Sequence, residues 1–106
     1  MIKLLASVTG PHEAGIVLEG GADLVDLKDP AKGALGAVSP QVLAETMDVV
    51  GGRRRVSAVA GDLPMLPDAV REAVEARVAA DFVKIGLFPA SRDARIAVIE
   101  GLRPLA

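Results

Sequence analysis

The sequence predicts one α/β domain over residues 1–106, a TIM-barrel type of (β/α) repeat with four βα units, which is half of a (β/α)8 barrel. Three observations carry this. Short runs rich in Val, Ile and Leu alternate with stretches whose apolar residues recur at helical spacing. The alternation occurs four times, at a period of roughly 25 residues, within the range of a compact βα unit. Glycine, proline and serine signals separate the segments. Strands that alternate with helices imply a parallel sheet with right-handed crossovers. Four such strands fit either half of a barrel or a small open sheet, and no clear residue-level repeat joins the units.

The first strand is expected over residues 2–8, an apolar run closed by Thr9, Gly10 and Pro11. Pro11 suits the first turn of a helix. Ala14, Val17, Leu18 and Gly21 follow at helical spacing until Gly20 and Gly21 stop it. The second strand is expected over residues 24–28. Residues 29–38 form a loop longer than most strand-to-helix connections. Ser39 and Pro40 read as cap and first residue of the second helix, with Leu43, Met47 and Val50 on its apolar face and Gly51-Gly52 at its end. Residues 56–60 make the third strand. Asp68 or a neighbour starts the third helix, which presents Val70, Ala73, Val74 and Val78. Residues 82–87 make the fourth strand, and Ser91 caps a last helix that buries Val98, Ile99 and Leu102.

Composition narrows the function. Half the chain is apolar, at 51%, which places it among globular proteins. Phe82 and Phe88 are its only aromatics, so stacking on nucleic-acid bases is not expected. A net charge of −2 offers no electrostatic footprint for nucleic acid or an anionic membrane. Without cysteine there is no disulfide, thiolate nucleophile or zinc ribbon. No signal layout or membrane-length apolar run is seen, which fits the cytoplasm.

The candidate chemistry lies in the second strand. Asp26 and Lys28 share one face, while Val25 and Leu27 share the other. Burying ionisable groups on an apolar strand is costly unless they are paired or used. Lys84 sits in the fourth strand, whose parity matches the second, so two lysines and one carboxylate converge on the interior of a barrel. A lysine beside another cation in a partly dry pocket can present a neutral amine to a carbonyl and form a Schiff base. Asp26 would then orient an ammonium or shuttle a proton. The alternative is a structural ion pair of Asp26 with Lys84 or Lys28.

Other candidates are weaker. Lys32 and Gly33 lie in a loop that either cradles a phosphate or is plain surface; the spacing is not a P-loop. Asp62 lies on the rim where a site is expected, or simply forms a turn. Ser7 and Ser57 line the expected interior without a nucleophilic triad. His12 is read as solvated, with no second histidine for a metal pair. Arg53, Arg54 and Arg55 read as a solvated turn entering the third strand.

Residues 20–30, Gly-Gly-Ala-Asp-Leu-Val-Asp-Leu-Lys-Asp-Pro, then Lys32-Gly33-Ala34-Leu35-Gly36-Ala37, resemble the (5-formylfuran-3-yl)methyl phosphate synthase family. This enzyme is also called 4-(hydroxymethyl)-2-furancarboxaldehyde-phosphate synthase. Residues 56–64 and 81–87 match the same family in register. The resemblance implies a TIM barrel of the class I aldolase type. It implies a lyase that condenses two molecules of glyceraldehyde 3-phosphate, with loss of phosphate and water, to a furan phosphate for methanofuran-type C1 carriers. By the same resemblance Lys28 forms the Schiff base, Lys84 accepts a proton and Asp26 assists, with no metal or organic cofactor. The Phe82-Val83-Lys84 run also resembles the strand bearing the Schiff-base lysine of deoxyribose-phosphate-type aldolases, which would exchange the two lysines' roles. Family members are about twice this length, and the chain matches their first half, without the barrel phosphate site after the seventh and eighth strands. A non-catalytic half-barrel that binds a phosphorylated ligand or a complementary half is the alternative. Open sheet edges favour association, so a homo-oligomer is expected.

Overall fold

A computed structural model of the chain describes residues 1–87 and 90–106; Phe88, the second aromatic, lies outside the described residues. Four strands, β1 (Leu5–Val8), β2 (Leu24–Leu27), β3 (Arg55–Val59) and β4 (Phe82–Lys84), alternate with four helices, α1 (Pro11–Glu19), α2 (Pro40–Val50), α3 (Pro67–Glu75) and α4 (Arg92–Leu102). All strand pairings are parallel and the sheet order is β1-β2-β3-β4. This is an α/β architecture compatible with half of a barrel.

The helix starts follow the local chemistry. Ser39 and Ser91 cap α2 and α4, each hydroxyl accepting from the N–H three residues on, Val42 and Ala94. Gly51 ends α2 in the left-handed conformation. At α1, Glu13 reaches back to accept from the Thr9 N–H at 2.8 Å and from the Thr9 hydroxyl. These bonds, helped by His12, hold the Glu13 carboxyl below its ordinary value.

Sequential order with right-handed crossovers places every helix on the same side of the sheet. The core agrees. Val8, Val25, Leu27, Val56 and Ala58 pack with Ala14 of α1 and Leu43 and Val50 of α2. Ala60 packs with Val70 and Val74 of α3 and Val98 of α4. On the other face Leu5 of β1 is 53% and Phe82 of β4 45% exposed, whereas Asp26, Ser57 and Val59 of the two central strands are buried.

Several boundaries are shorter than the apolar runs suggest. β1 begins at Leu5 because only β2 pairs with it, and residues 1–4 extend exposed beyond the ladder. β4, paired only with β3, ends at Lys84, and Gly86 beyond it lies beneath the Leu35 side chain. Val78 follows the end of α3, so it is exposed, and Ile99 lies on the outer side of α4.

The units also repeat, which the sequence reading missed. Asp23 exchanges two bonds with Leu4: its carboxylate accepts from the Leu4 N–H at 2.7 Å and its own N–H donates to the Leu4 carbonyl at 2.9 Å. Asp81 does the same with Val56, at 2.8 and 2.9 Å. Ala22-Asp23-Leu24-Val25 and Ala80-Asp81-Phe82-Val83 are the shared signature. An aspartate entering each even strand thus locks the start of the odd strand beside it.

Candidate active site

The face of the sheet opposite the helices carries the polar cluster. The ladder places Ser7, Asp26 and Ser57 side by side on β1, β2 and β3, and Lys84 one step along on β4 opposite Val59. Asp26 is 1% exposed, and its carboxylate is the hub. Ser57 donates to one oxygen at 2.6 Å; Ser7 donates to the other at 3.3 Å, where the Lys84 ammonium also stands at 3.1 Å. These donors offset the desolvation of the buried charge. Lys84 keeps 46% of its side chain exposed, so the pair is buried at its acidic end and hydrated at its basic end.

Lys28 follows β2 on the same face as Asp26, one step nearer the rim, and is half-buried. It makes no side-chain hydrogen bond or ion pair among the described residues. Of the two partners open to Asp26, the fold brings Lys84. The cluster pairs one lysine with the carboxylate and leaves the second unpaired beside it among the described residues.

The connection from β2 to α2 borders this rim. A 3-10 turn (Pro30–Lys32) is capped by Asp29, whose carboxylate accepts from the Ala31 N–H at 3.0 Å. The loop closes through Asp29 N–H to the Gly36 carbonyl at 2.9 Å. A Cβ on Gly36 would lie 1.9 Å from the Asp29 carbonyl oxygen, so only glycine fits there. The Leu35 side chain then reaches Gly86, where a Cβ would meet it at 2.5 Å. Arg77 holds the far end of the loop, donating to the carbonyls of Ala73 and Val38 at 2.7 and 3.1 Å, and burial pulls its guanidinium below the usual value.

The remaining candidates stand apart from the hub. Lys32 is exposed and makes only local contacts, 3.5 Å to the Ala37 carbonyl and 3.9 Å to Asp29. Gly33 is exposed in the left-handed region at φ 105°. Asp62 is exposed beyond β3, without a hydrogen bond to the cluster among the described residues. His12 is exposed. The arginines are structural: Arg53 donates to the Val50 and Val49 carbonyls at the end of α2, Arg54 donates to Ala22, and Arg55 lies 5.8 Å from the Phe82 ring centre. They border a depression of about 690 Å³ at the end of the sheet opposite the lysines. Among the described residues no three His, Cys, Asp or Glu groups stand close enough to hold a metal ion, and no helix is long and apolar enough to cross a membrane.

A family model described as 4-HFC-P synthase matches residues 4–105. Proteins named (5-formylfuran-3-yl)methyl phosphate synthase are similar along most of the chain. That of Methanosarcina mazei is 46% identical over 89 residues, 82% of this chain and 38% of the relative. That of Methanopyrus kandleri is 44% identical over 88 residues, 81% and 37% respectively. That of Methanosarcina acetivorans is 43% identical over 96 residues, 89% and 41%. The matched part of this chain thus spans about two-fifths of the length of these curated relatives.

Proposed function

Because the chain belongs to the 4-HFC-P synthase family, we propose that it carries the Schiff-base half-site of a (5-formylfuran-3-yl)methyl phosphate synthase, a lyase acting on glyceraldehyde 3-phosphate. The single observation that supports this best is the asymmetry of the two lysines. The Lys84 amine stands 3.1 Å from the Asp26 carboxylate, while Lys28 makes no ion pair among the described residues.

In this reading the neutral amine of Lys28 attacks the aldehyde carbon of the first triose phosphate. The carbinolamine loses water, and the C=N bond replaces the C=O bond. The iminium withdraws electrons from the neighbouring carbon, whose proton leaves to a base. Lys84 takes that role once its own proton has passed to Asp26 or solvent, and Ser7 and Ser57 keep the carboxylate in place for the exchange. The resulting carbon nucleophile adds to the aldehyde of a second triose phosphate. A substrate hydroxyl then attacks the former aldehyde carbon, closing the ring and expelling the Lys28 amine, and release of phosphate and water leaves the furan. Lys32 and Gly33, on the rim loop, are assigned to the substrate phosphate, and Asp62 to a substrate hydroxyl.

The test is intact mass and peptide mapping after glyceraldehyde 3-phosphate is added with borohydride. A triose adduct on Lys28 that Lys28→Ala abolishes supports the reading. An adduct on Lys84 reverses the two roles. No adduct on a folded sample refutes catalysis by this chain alone. It would favour a non-catalytic half that binds a phosphorylated ligand.

A further inference from the structure

Lys84 reaches Asp26 by leaning away from the rim. Ser57 stands opposite both Asp26 and Phe82, while Lys84 stands opposite Val59, two residues nearer the rim. A lysine with an open flank extends its amine toward water. This one, with its side chain 46% exposed, turns back to a carboxylate 3.1 Å away. Asp26 attracts the amine from the inner side, and the rim side is closed by another element.

The alternation of β4 continues past its last ladder residue. Val83, Ile85 and Leu87 all pack against the helix-side cluster around Val70 and Val98. Lys84 and Gly86 therefore share the opposite face, one pleat apart. A Cβ at Gly86 would lie 2.5 Å from Leu35 Cδ1, and 3.7 and 3.8 Å from its Cγ and Cδ2. The Leu35 side chain thus fills the place of the side chain that residue 86 lacks, directly rimward of Lys84.

The loop behind Leu35 is fastened at several points. The Asp29 N–H donates to the Gly36 carbonyl at 2.9 Å, and the Gly36 N–H donates to the Gly33 carbonyl at 3.1 Å. Ala37 lies 3.6 Å from where a Cβ of Gly61 would stand, just past the end of β3. Arg77 holds the Val38 carbonyl at 3.1 Å. On a backbone so constrained, Leu35 forms a wall and not a loose cover. Val59, opposite Lys84, is fully buried although the helices lie on the other side of the sheet, which agrees with a filled rim.

We propose that Leu35 is a positioning residue of this site: seated on Gly86, it blocks the rimward path of the Lys84 side chain and turns its amine back onto Asp26. The inference rests on the reading that Lys84 belongs to the site. That reading is tested by adduct trapping, whereas the test of Leu35 needs no turnover, so the two fail separately.

The chain's lysines are Lys3, Lys28, Lys32 and Lys84, so acetylation by an N-hydroxysuccinimide ester at fixed pH, read by peptide mass mapping, follows each of them. Leu35→Ala should speed acetylation of Lys84 about two- to fivefold relative to the exposed Lys3, the range in which a solvent-screened ion pair restrains an amine. Gly86→Ala, whose methyl group displaces Leu35, should act in the same direction. Leu35→Met, with similar volume, should restore the parent rate. In an Asp26→Asn background the pair is already broken, so Leu35→Ala should add little. Circular dichroism verifies that each variant is folded, and Leu35→Val carries the measurement if Leu35→Ala is not. A Lys84 rate that neither Leu35 truncation nor Gly86→Ala changes overturns the proposal. Equal acceleration of Lys28 and Lys32 also overturns it, because that marks general loosening, as does a full Leu35→Ala effect in the Asp26→Asn background.

Discussion

Replacing Asp26 separates the contributions of its three partners. The carboxylate is buried, and so is Ser57, whose hydroxyl donates to it at 2.6 Å. In Asp26→Ala that hydroxyl loses its acceptor in a dry site, at a cost of about 1–3 kcal/mol. Ser7 is exposed and bonds at 3.3 Å, so it rehydrates almost without penalty. Lys84 also rehydrates, because its side chain is 46% exposed; losing the ion pair adds only about 0.5–1 kcal/mol after solvent screening. Asp26→Ala should therefore cost about 2–4 kcal/mol. Asp26→Asn retains an acceptor for Ser57 and loses the charge, so about 1–2 kcal/mol is expected. The chain has no Trp or Tyr, so urea unfolding is best followed by far-ultraviolet circular dichroism. For a domain of this size each kcal/mol moves Tm by roughly 4–8 °C. The reasoning fails if both variants lie within about 0.5 kcal/mol of the parent, or if Asn costs more than Ala. Either result would mean that Ser57 and Lys84 do not anchor the carboxylate.

Other perturbations follow from the same geometry. Gly36→Ala drives a methyl group into the Asp29 carbonyl and should cost about 1–3 kcal/mol, with faster amide exchange across residues 29–38. Leu27→Ala opens a cavity in the larger core cluster and should lower stability by about 2–5 kcal/mol in urea titration. The Glu13 carboxyl titrates lower when folded than when unfolded. Its contribution is complete above the ordinary glutamate value and is lost as pH falls through the folded value. Amide protection in the first turn of α1 should therefore fall over that acid range, and Glu13→Gln should flatten the step.

Local rules were enough to read much of the chain. Ser39-Pro40 and Ser91 announce helix starts because a hydroxyl there can accept an orphan N–H, and both do so in the structure. Alternation in residues 24–28 put Asp26 and Lys28 on one face opposite Val25 and Leu27, and the structure places Val25 and Leu27 in the helix-side core. The family, too, was legible, because the Asp-Leu-Lys-Asp-Pro stretch with its glycine-rich sequel is contiguous.

Long-range register decided the rest. Which lysine Asp26 would meet was open, since Lys28 is two residues away in sequence and Lys84 is 58 away. Asp26 and Lys84 stand on strands separated by β3, whose register sets Phe82 level with Ser57 and Lys84 two residues beyond, opposite Val59; the long lysine side chain reaches back from there to the carboxylate. The roles of Ser7 and Ser57 emerged for the same reason: a donor on a neighbouring strand becomes a partner only when the register places it opposite. The repeat marked by Asp23 and Asp81 is two short Ala-Asp-x-Val signatures in the sequence, and it acquires meaning only through the backbone each carboxylate holds. Composition and periodicity therefore determined the elements and the chemistry each could offer. Strand register determined which groups could act together, because it sets distances between residues that the chain itself keeps far apart.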